Sequence, residues 1–177
     1  PKIDLSQCRK INETDELYKT IPCPEKTLVL DLKALNITGY DSNIQCFGWC
    51  SEYNASSHPS GGMAWPQLYF NGKPLTTARY PSSGYVKTTG DYDIKNGGYA
   101  VFNYEDDRIE KWADLSGVWV HGYFYFDWAD CGVKIGSVDT TEKTIALANK
   151  INYGVRKGQR YYYLNVPDEL TESGEWY

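Results

Sequence analysis

The chain has 177 residues, enough for one domain with its own core, and its 23% charged and 41% hydrophobic residues point away from disorder. No apolar run reaches the roughly 20 residues that cross a bilayer, so no membrane partner is expected. The net charge of −5, with a pI near 5.1, argues against nucleic acid, which needs Lys and Arg gathered on one face.

In chain order, residues 1–26 read as an N-terminal extension or edge segment and 27–177 as the main domain. The chain opens on Pro1 without a basic, apolar leader, as expected of a mature segment or a piece of a longer protein. Residues 27–32 alternate as a strand, and 41–62 read as a Ser-, Asn- and Gly-rich loop around a short strand. Residues 67–70 and 73–76 flank Asn71-Gly72, whose tolerance of positive φ predicts a type I′ hairpin. Pro74 places the second strand at an edge or bulge. Residues 82–98 read as a loop and 99–102 as a strand. Residues 106–112 form the one short helix, with Ile109 and Trp112 on one face and Gly117 as its stop. Residues 118–126 predict a long central strand, and 133–138 with 144–148 a second hairpin around 139–143. Residues 161–165 give a late strand, and 167–174 an acidic turn. Period-two patterning with this punctuation predicts an all-β fold, a jelly-roll-like β-sandwich with one short helix.

Six Trp and sixteen Tyr stand against five Phe. Tyr and Trp join an apolar face to a polar tip, which suits stacking on the C–H faces of sugars; Tyr also fits cross-strand pairs in any sheet. Five Cys leave at least one unpaired, with Cys8/Cys23 and Cys46/Cys50 as the close pairs. Zinc is disfavoured, because there is no C-x-x-C and only His58 and His121 are available. Sequons begin at Asn12, Asn36 and Asn54. Asp91 and Asp93, or Asp127 and Asp130, could supply oxygens to calcium, but neither spacing is diagnostic and no cofactor is expected.

The densest stretch runs from Trp119 to Asp130. Strand alternation puts Trp119, His121, Tyr123 and Tyr125 on one side and Val120, Phe124 and Phe126 on the other. The second set should face the core. The first, leading to Asp127, Trp128 and Asp130, reads either as a sugar platform or as rings packed beneath a second sheet. Carboxylate pairs such as Asp127/Asp130 and Asp106/Asp107 do not by spacing alone make a glycosidase site. No G-x-S-x-G elbow, phosphate loop or activated Cys131–His121 pair is evident.

Three ordered stretches resemble right-handed parallel β-helix carbohydrate-active proteins, which include β-helix glycosidases. They are Leu68-Tyr69-Phe70-Asn71-Gly72-Lys73-Pro74-Leu75-Thr76-Thr77-Ala78-Arg79-Tyr80-Pro81, then Trp119-Val120-His121-Gly122-Tyr123 with Asp127-Trp128. The last is a closing segment: Tyr153-Gly154-Val155, Arg160-Tyr161-Tyr162, Asn165, Glu169-Leu170 and Gly174-Glu175-Trp176-Tyr177. The likeness spans about residues 27–177. It implies a β-sandwich inserted between early coils of a β-helix, with the catalytic carboxylates on those coils. It also implies Asn165, Glu169 and Glu175 near the junction with a cleft, although Pro167-Asp168 and Ser173 depart from the closing pattern.

Three readings follow. One is a non-catalytic carbohydrate-binding or substrate-positioning module of a larger extracellular glycan-degrading β-helix enzyme. Its partners would be a polysaccharide or oligosaccharide and the β-helix domain of its own chain. Its candidate contacts are Arg79, Trp119, His121, Tyr123, Tyr125, Asp127, Trp128 and Asp130. The second is a structural insert without a ligand, and the third is a glycoside hydrolase in its own right.

Overall fold

The computed structural model describes residues 4–38, 46–49, 65–90, 93–95 and 98–177. The early strands are β1 (Arg9–Lys10), β2 (Leu28–Val29), β3 (Cys46–Gly48), β4 (Tyr69–Phe70) and β5 (Lys73–Pro74). Next come β6 (Thr76–Thr77), β7 (Arg79–Tyr80), β8 (Val86–Lys87), β9 (Asp93–Lys95) and β10 (Gly98–Asn103). The later strands are β11 (Trp119–Gly122), β12 (Cys131–Asp139), β13 (Thr144–Ile151), β14 (Gly154–Arg156), β15 (Arg160–Leu164) and β16 (Glu175–Trp176). The fold is all-β and sandwich-like. No helix among the described residues is long and apolar enough to cross a membrane.

One sheet runs β10-β13-β12-β11-β15-β7, with β3 also on β12 and β8 also on β15. The sandwich arises because β12 serves two halves. Its residues 131–134 pair with β11, whereas Ile135–Asp139 pairs with β13 across an irregularity between Ile135 and Ser137. Gly136 lies at that break, where an added Cβ would sit 3.1 Å from the Ala148 nitrogen. A bulge bends its strand, and the bend folds one half over the other. In a flat sheet β10 and β15 would lie four steps apart, roughly 19 Å at the usual strand spacing. Instead Phe102 on β10 and Tyr161 on β15 meet edge to face at 5.1 Å.

The core fills the space between the halves. Val120, Val133, Tyr161 and Tyr163 point inward from one side, and Phe102, Ile145 and Leu147 from the other. Tyr104, Tyr161 and Tyr163 are fully buried, with the Tyr161 and Tyr163 hydroxyls 3.1 Å apart and the Tyr104 hydroxyl donating to Glu110 at 2.9 Å. Burial pushes the Tyr104 and Tyr163 phenols well above their ordinary range. Part of the Tyr enrichment is therefore core, its polar tips satisfied internally.

The expected hairpins form. Asn71 and Gly72 take φ 49° and 74°, and Phe70 pairs with Lys73. In the other, Asp139 Oδ1 accepts from the Thr141 and Glu142 amides, closing the turn ahead of Thr144. The one expected helix is corrected to four 3-10 stretches among the described residues, Leu5–Gln7, Pro24–Lys26, Asp107–Lys111 and Pro167–Glu169; the third, capped by Asp106, ends at Trp112, five residues before the expected stop at Gly117. Ile109 and Trp112 both enter the core.

Three strand expectations are corrected. Residues 82–98, expected as a loop, contain β8 and β9, which pair with β15 and β14. The strand expected over 27–32 is only Leu28–Val29, and it pairs with β1 rather than with the main sheet. The strand expected over 118–126 ends at Gly122. An added Cβ there would lie 2.5 Å from the Arg160 carbonyl, so β11 presses close on β15. The chain then leaves the ladder: Phe124 O accepts from Arg156 N at 2.9 Å, and its ring turns into the core. Cys8 and Cys23 are half-buried free thiols, not a bridge. Cys50, His58, Asn54 and the Asp91 half of the calcium candidate lie outside the described residues.

Candidate functional site

Two aromatic clusters occupy the side of the molecule away from the core, joined through Asp130. Cross-strand register builds the first. Phe47 on β3, Gly132 on β12, His121 on β11 and Tyr162 on β15 are successive partners across the outer face of the sheet. Gly132 is the gap that the Phe47 ring fills, since an added Cβ would lie 2.0 Å from that ring. Phe47 then meets His121 at 4.9 Å and Trp119 at 6.0 Å, and Trp65 packs edge-on against Trp119 at 5.2 Å. Trp65 is anchored by its indole N–H, which donates to Thr77 Oγ1 at 3.0 Å.

Both ring nitrogens of His121 are engaged: Nδ1 lies 2.6 Å from the Tyr162 hydroxyl and Nε2 lies 3.0 Å from Asp130 Oδ2. The histidine hydrogen bond holds the Asp130 carboxyl below its ordinary range. The Arg79 guanidinium covers the Tyr162 ring at 3.6 Å and donates to the carbonyls of Pro81 and Gly84. Burial lowers the Arg79 pKa and raises that of Tyr162. His121 therefore bridges Tyr162 and Asp130, with its side chain 21% and that of Asp130 38% exposed.

The second cluster is open. Trp49, Phe126, Trp128 and Tyr153 come from three separate connections. Phe126 and Trp128 stack at 5.5 Å and 15°, Trp49 meets Trp128 edge-on at 5.5 Å, and Tyr153 meets Phe126 and Trp128 at 5.3 Å. Trp128 is 58% exposed and Trp49 42%. The Trp49 amide donates to the Asp130 carbonyl at 2.7 Å, and Gly48 adopts φ 73° to permit that approach. Asp130 thus serves both clusters, its side chain on His121 and its backbone on Trp49.

A polar groove of about 410 Å³ adjoins this patch, lined by Lys87, Asp127, Arg156, Lys157, Gln159 and Arg160. Its floor is rigid. The buried Gln159 donates from its side chain to the Tyr125 carbonyl at 2.7 Å and from its backbone to Thr88 Oγ1 at 3.0 Å. Arg160 forms an ion pair with Asp127 at 2.5 Å and lies 4.1 Å over the Tyr123 ring. Asp127, which lines the groove, directly precedes Trp128 in the chain.

The residues expected on one strand face are therefore divided. Trp119 and His121 belong to the closed cluster with Arg79 and Asp130. Tyr125 is buried against Phe126 at 4.7 Å, and Tyr123 is half-buried beneath Arg160. Only Asp127 and Trp128 are freely exposed. Phe126, expected in the core, lines the open patch. The closing-segment residues each have a hydrogen-bonded partner, distant in sequence for Asn165 and Glu169 and close for Glu175. Asn165 donates to Gly117 O at 3.0 Å, and Glu169 accepts from Arg108 at 2.5 Å and Trp112 at 2.7 Å. Glu175 accepts from the Thr171 and Glu172 amides, both at 2.8 Å. Among the described residues no group of three or more His, Cys, Asp or Glu is placed to hold a metal ion.

Sequence reasoning missed Trp49, Tyr153 and Lys87, which tertiary packing alone brings to this surface. Arg156, Lys157 and Arg160 are close in the chain, but only the fold gives them a groove. The chain matches no protein-family model, no curated protein and no solved structure.

Proposed function

We propose that this domain is a non-catalytic carbohydrate-binding or substrate-positioning β-sandwich module of a larger extracellular, glycan-degrading β-helix protein. The observation that carries the reading is the open ring cluster beside the groove: stacked Phe126 and Trp128 with Trp49 edge-on, next to Asp127, Arg156 and Arg160. Sugar recognition needs that pairing, a flat apolar surface for C–H faces and fixed polar groups for hydroxyls. The non-catalytic part is supported by how the ionisable candidates are used. Glu169 is bound by Arg108 and Trp112, and Asp127 is paired with Arg160.

The β-helix setting rests on the ordered sequence motifs, and two of them lie side by side. β6 and β16 pair in parallel, the Ala78 amide donates to the Trp176 carbonyl at 2.8 Å, and Arg79 pairs in register with Leu164. Affinity gel electrophoresis over a panel of neutral and acidic plant polysaccharides tests the function. The reading expects retarded migration on at least one of them, lost in Trp128→Ala without a change in unfolding temperature. Unretarded migration on every polysaccharide would leave a structural insert as the better account.

A further inference from the structure

The groove has an aromatic edge of its own. Val86 and Tyr161 are partners across the β8–β15 ladder and both pack in the core, so Lys87 and Arg160, the next pair, turn outward. Tyr85 joins them, its ring exposed and 5.8 Å from that of Tyr162. The Arg160 guanidinium lies 4.1 Å over the Tyr123 ring and 5.8 Å from that of Tyr85, and it pairs with Asp127 at 2.5 Å. Arg160 and Asp127 also line the groove, so an exposed ring, a guanidinium and a carboxylate meet at its edge. Its charges are largely matched. Arg160 is taken by Asp127, Arg156 stands opposite Asp93 in the β14–β9 register, and Lys157 is engaged within the fold. Lys87 is the remaining cation of the lining.

We infer that the groove is a second sugar-binding subsite with its own ring, in which a neutral sugar unit stacks on Tyr85 while its hydroxyls bridge Asp127 and Arg160. This rests on the carbohydrate reading above and adds to it a site and a ligand class. An ionised carboxylate only accepts hydrogen bonds and a guanidinium only donates them, whereas a hydroxyl does both. One edge of a sugar can therefore give to Asp127 and take from Arg160 without breaking their pair, and both bonds are of the stronger, charge-assisted kind. An anionic sugar would meet the exposed Asp127 carboxylate and would have to displace it from Arg160. The site is also set before a ligand arrives. Arg160 is held by an ion pair and two rings, and Gln159 beneath it is buried and bonded through both side chain and backbone. Little side-chain ordering is then left for binding to impose.

The test is a titration of the intact 177-residue chain, followed in proton–nitrogen spectra, with cellohexaose, xylohexaose, mannohexaose and hexagalacturonate. The account expects at least one neutral hexasaccharide to shift the Arg160 Nε–H and Gln159 side-chain amide signals, and to bind more tightly than hexagalacturonate. Those shifts should persist in Trp128→Ala, because millimolar sugar fills one subsite alone whereas retention in a gel draws on both. Tyr85→Ala should bind the same sugar roughly three- to tenfold more weakly, and Tyr85→Phe, which keeps the ring, should bind it as before. The spectra of the unaltered protein stand even if a variant misfolds. Trp indole signals that move while Arg160 and Gln159 stay silent overturn the second subsite, and the carbohydrate reading survives. Hexagalacturonate as the tightest ligand overturns the neutral class, and full affinity in Tyr85→Ala overturns the stacking role of its ring. Silence with all four sugars overturns the inference as well, and the polysaccharide panel then decides separately whether any sugar is bound.

Discussion

The two aromatic clusters use the same chemistry and differ in what closes them. Around Trp119, Gly132 leaves room for Phe47 to lie flat, Trp65 seals the edge, and Arg79 caps Tyr162. Around Trp128 there is no such lid among the described residues, and Trp49 and Trp128 stay 42% and 58% exposed. Trp119 retains 7% of its exposure. Rings buried on all sides stabilise the fold through area and packing. Rings left half-wet keep that free energy available for a ligand. The two clusters therefore differ in closure, not in residue type.

This contrast can be broken by mutation. The largest effect is expected from Trp119→Ala, which empties a packed site and should cost about 3–5 kcal/mol in denaturant unfolding. Gly132→Ala comes next: its new Cβ would collide with the Phe47 ring, and overpacking of this kind costs about 1–3 kcal/mol. A loss near zero for either would mean that the cluster is loosely packed. Trp128→Ala should fall below about 1 kcal/mol, since the ring is mostly exposed, and should act on ligand retention instead.

The last prediction sharpens the role of Asp130. Its carboxyl is held low by the His121 hydrogen bond. A depressed carboxylate contributes stability above its unfolded pKa, near 3.8, and loses it as pH falls through the lower folded value. The stability difference between the unaltered protein and Asp130→Asn should therefore be full at neutral pH and shrink in acid below that range. A difference that stays constant in acid unfolding curves would mean that the Asp130 side chain contributes independently of its charge, since Asp130→Asn leaves the backbone bond to Trp49 intact.

The sequence made the local features legible. Asn71-Gly72 is a turn because its two residues tolerate positive φ, and 139–143 is one because Asp139 can bond its own following amides. The late strand expected over 161–165 forms as β15, Arg160–Leu164. What stayed hidden depends on contacts far apart in the chain. The irregularity at Gly136 that lets β12 serve two halves has no local signature, and neither does the parallel β6–β16 contact between two-residue strands. The aromatic face was misread for a related reason. Alternation holds only while the ladder holds, and the ladder stops at Gly122, so Tyr123 and Tyr125 never join the face of Trp119 and His121. Trp128 was legible as a candidate, but its partners Trp49 and Tyr153 were not.

The most direct test follows the indole N–H signals of the six Trp residues in proton–nitrogen spectra during titration with oligosaccharide fragments of a polysaccharide that retards the domain. The account predicts shifts at Trp49 and Trp128, with Trp65 and Trp119 unmoved. Shifts confined to Trp65 and Trp119, with Trp128 silent, would contradict it by placing the ligand on the closed cluster.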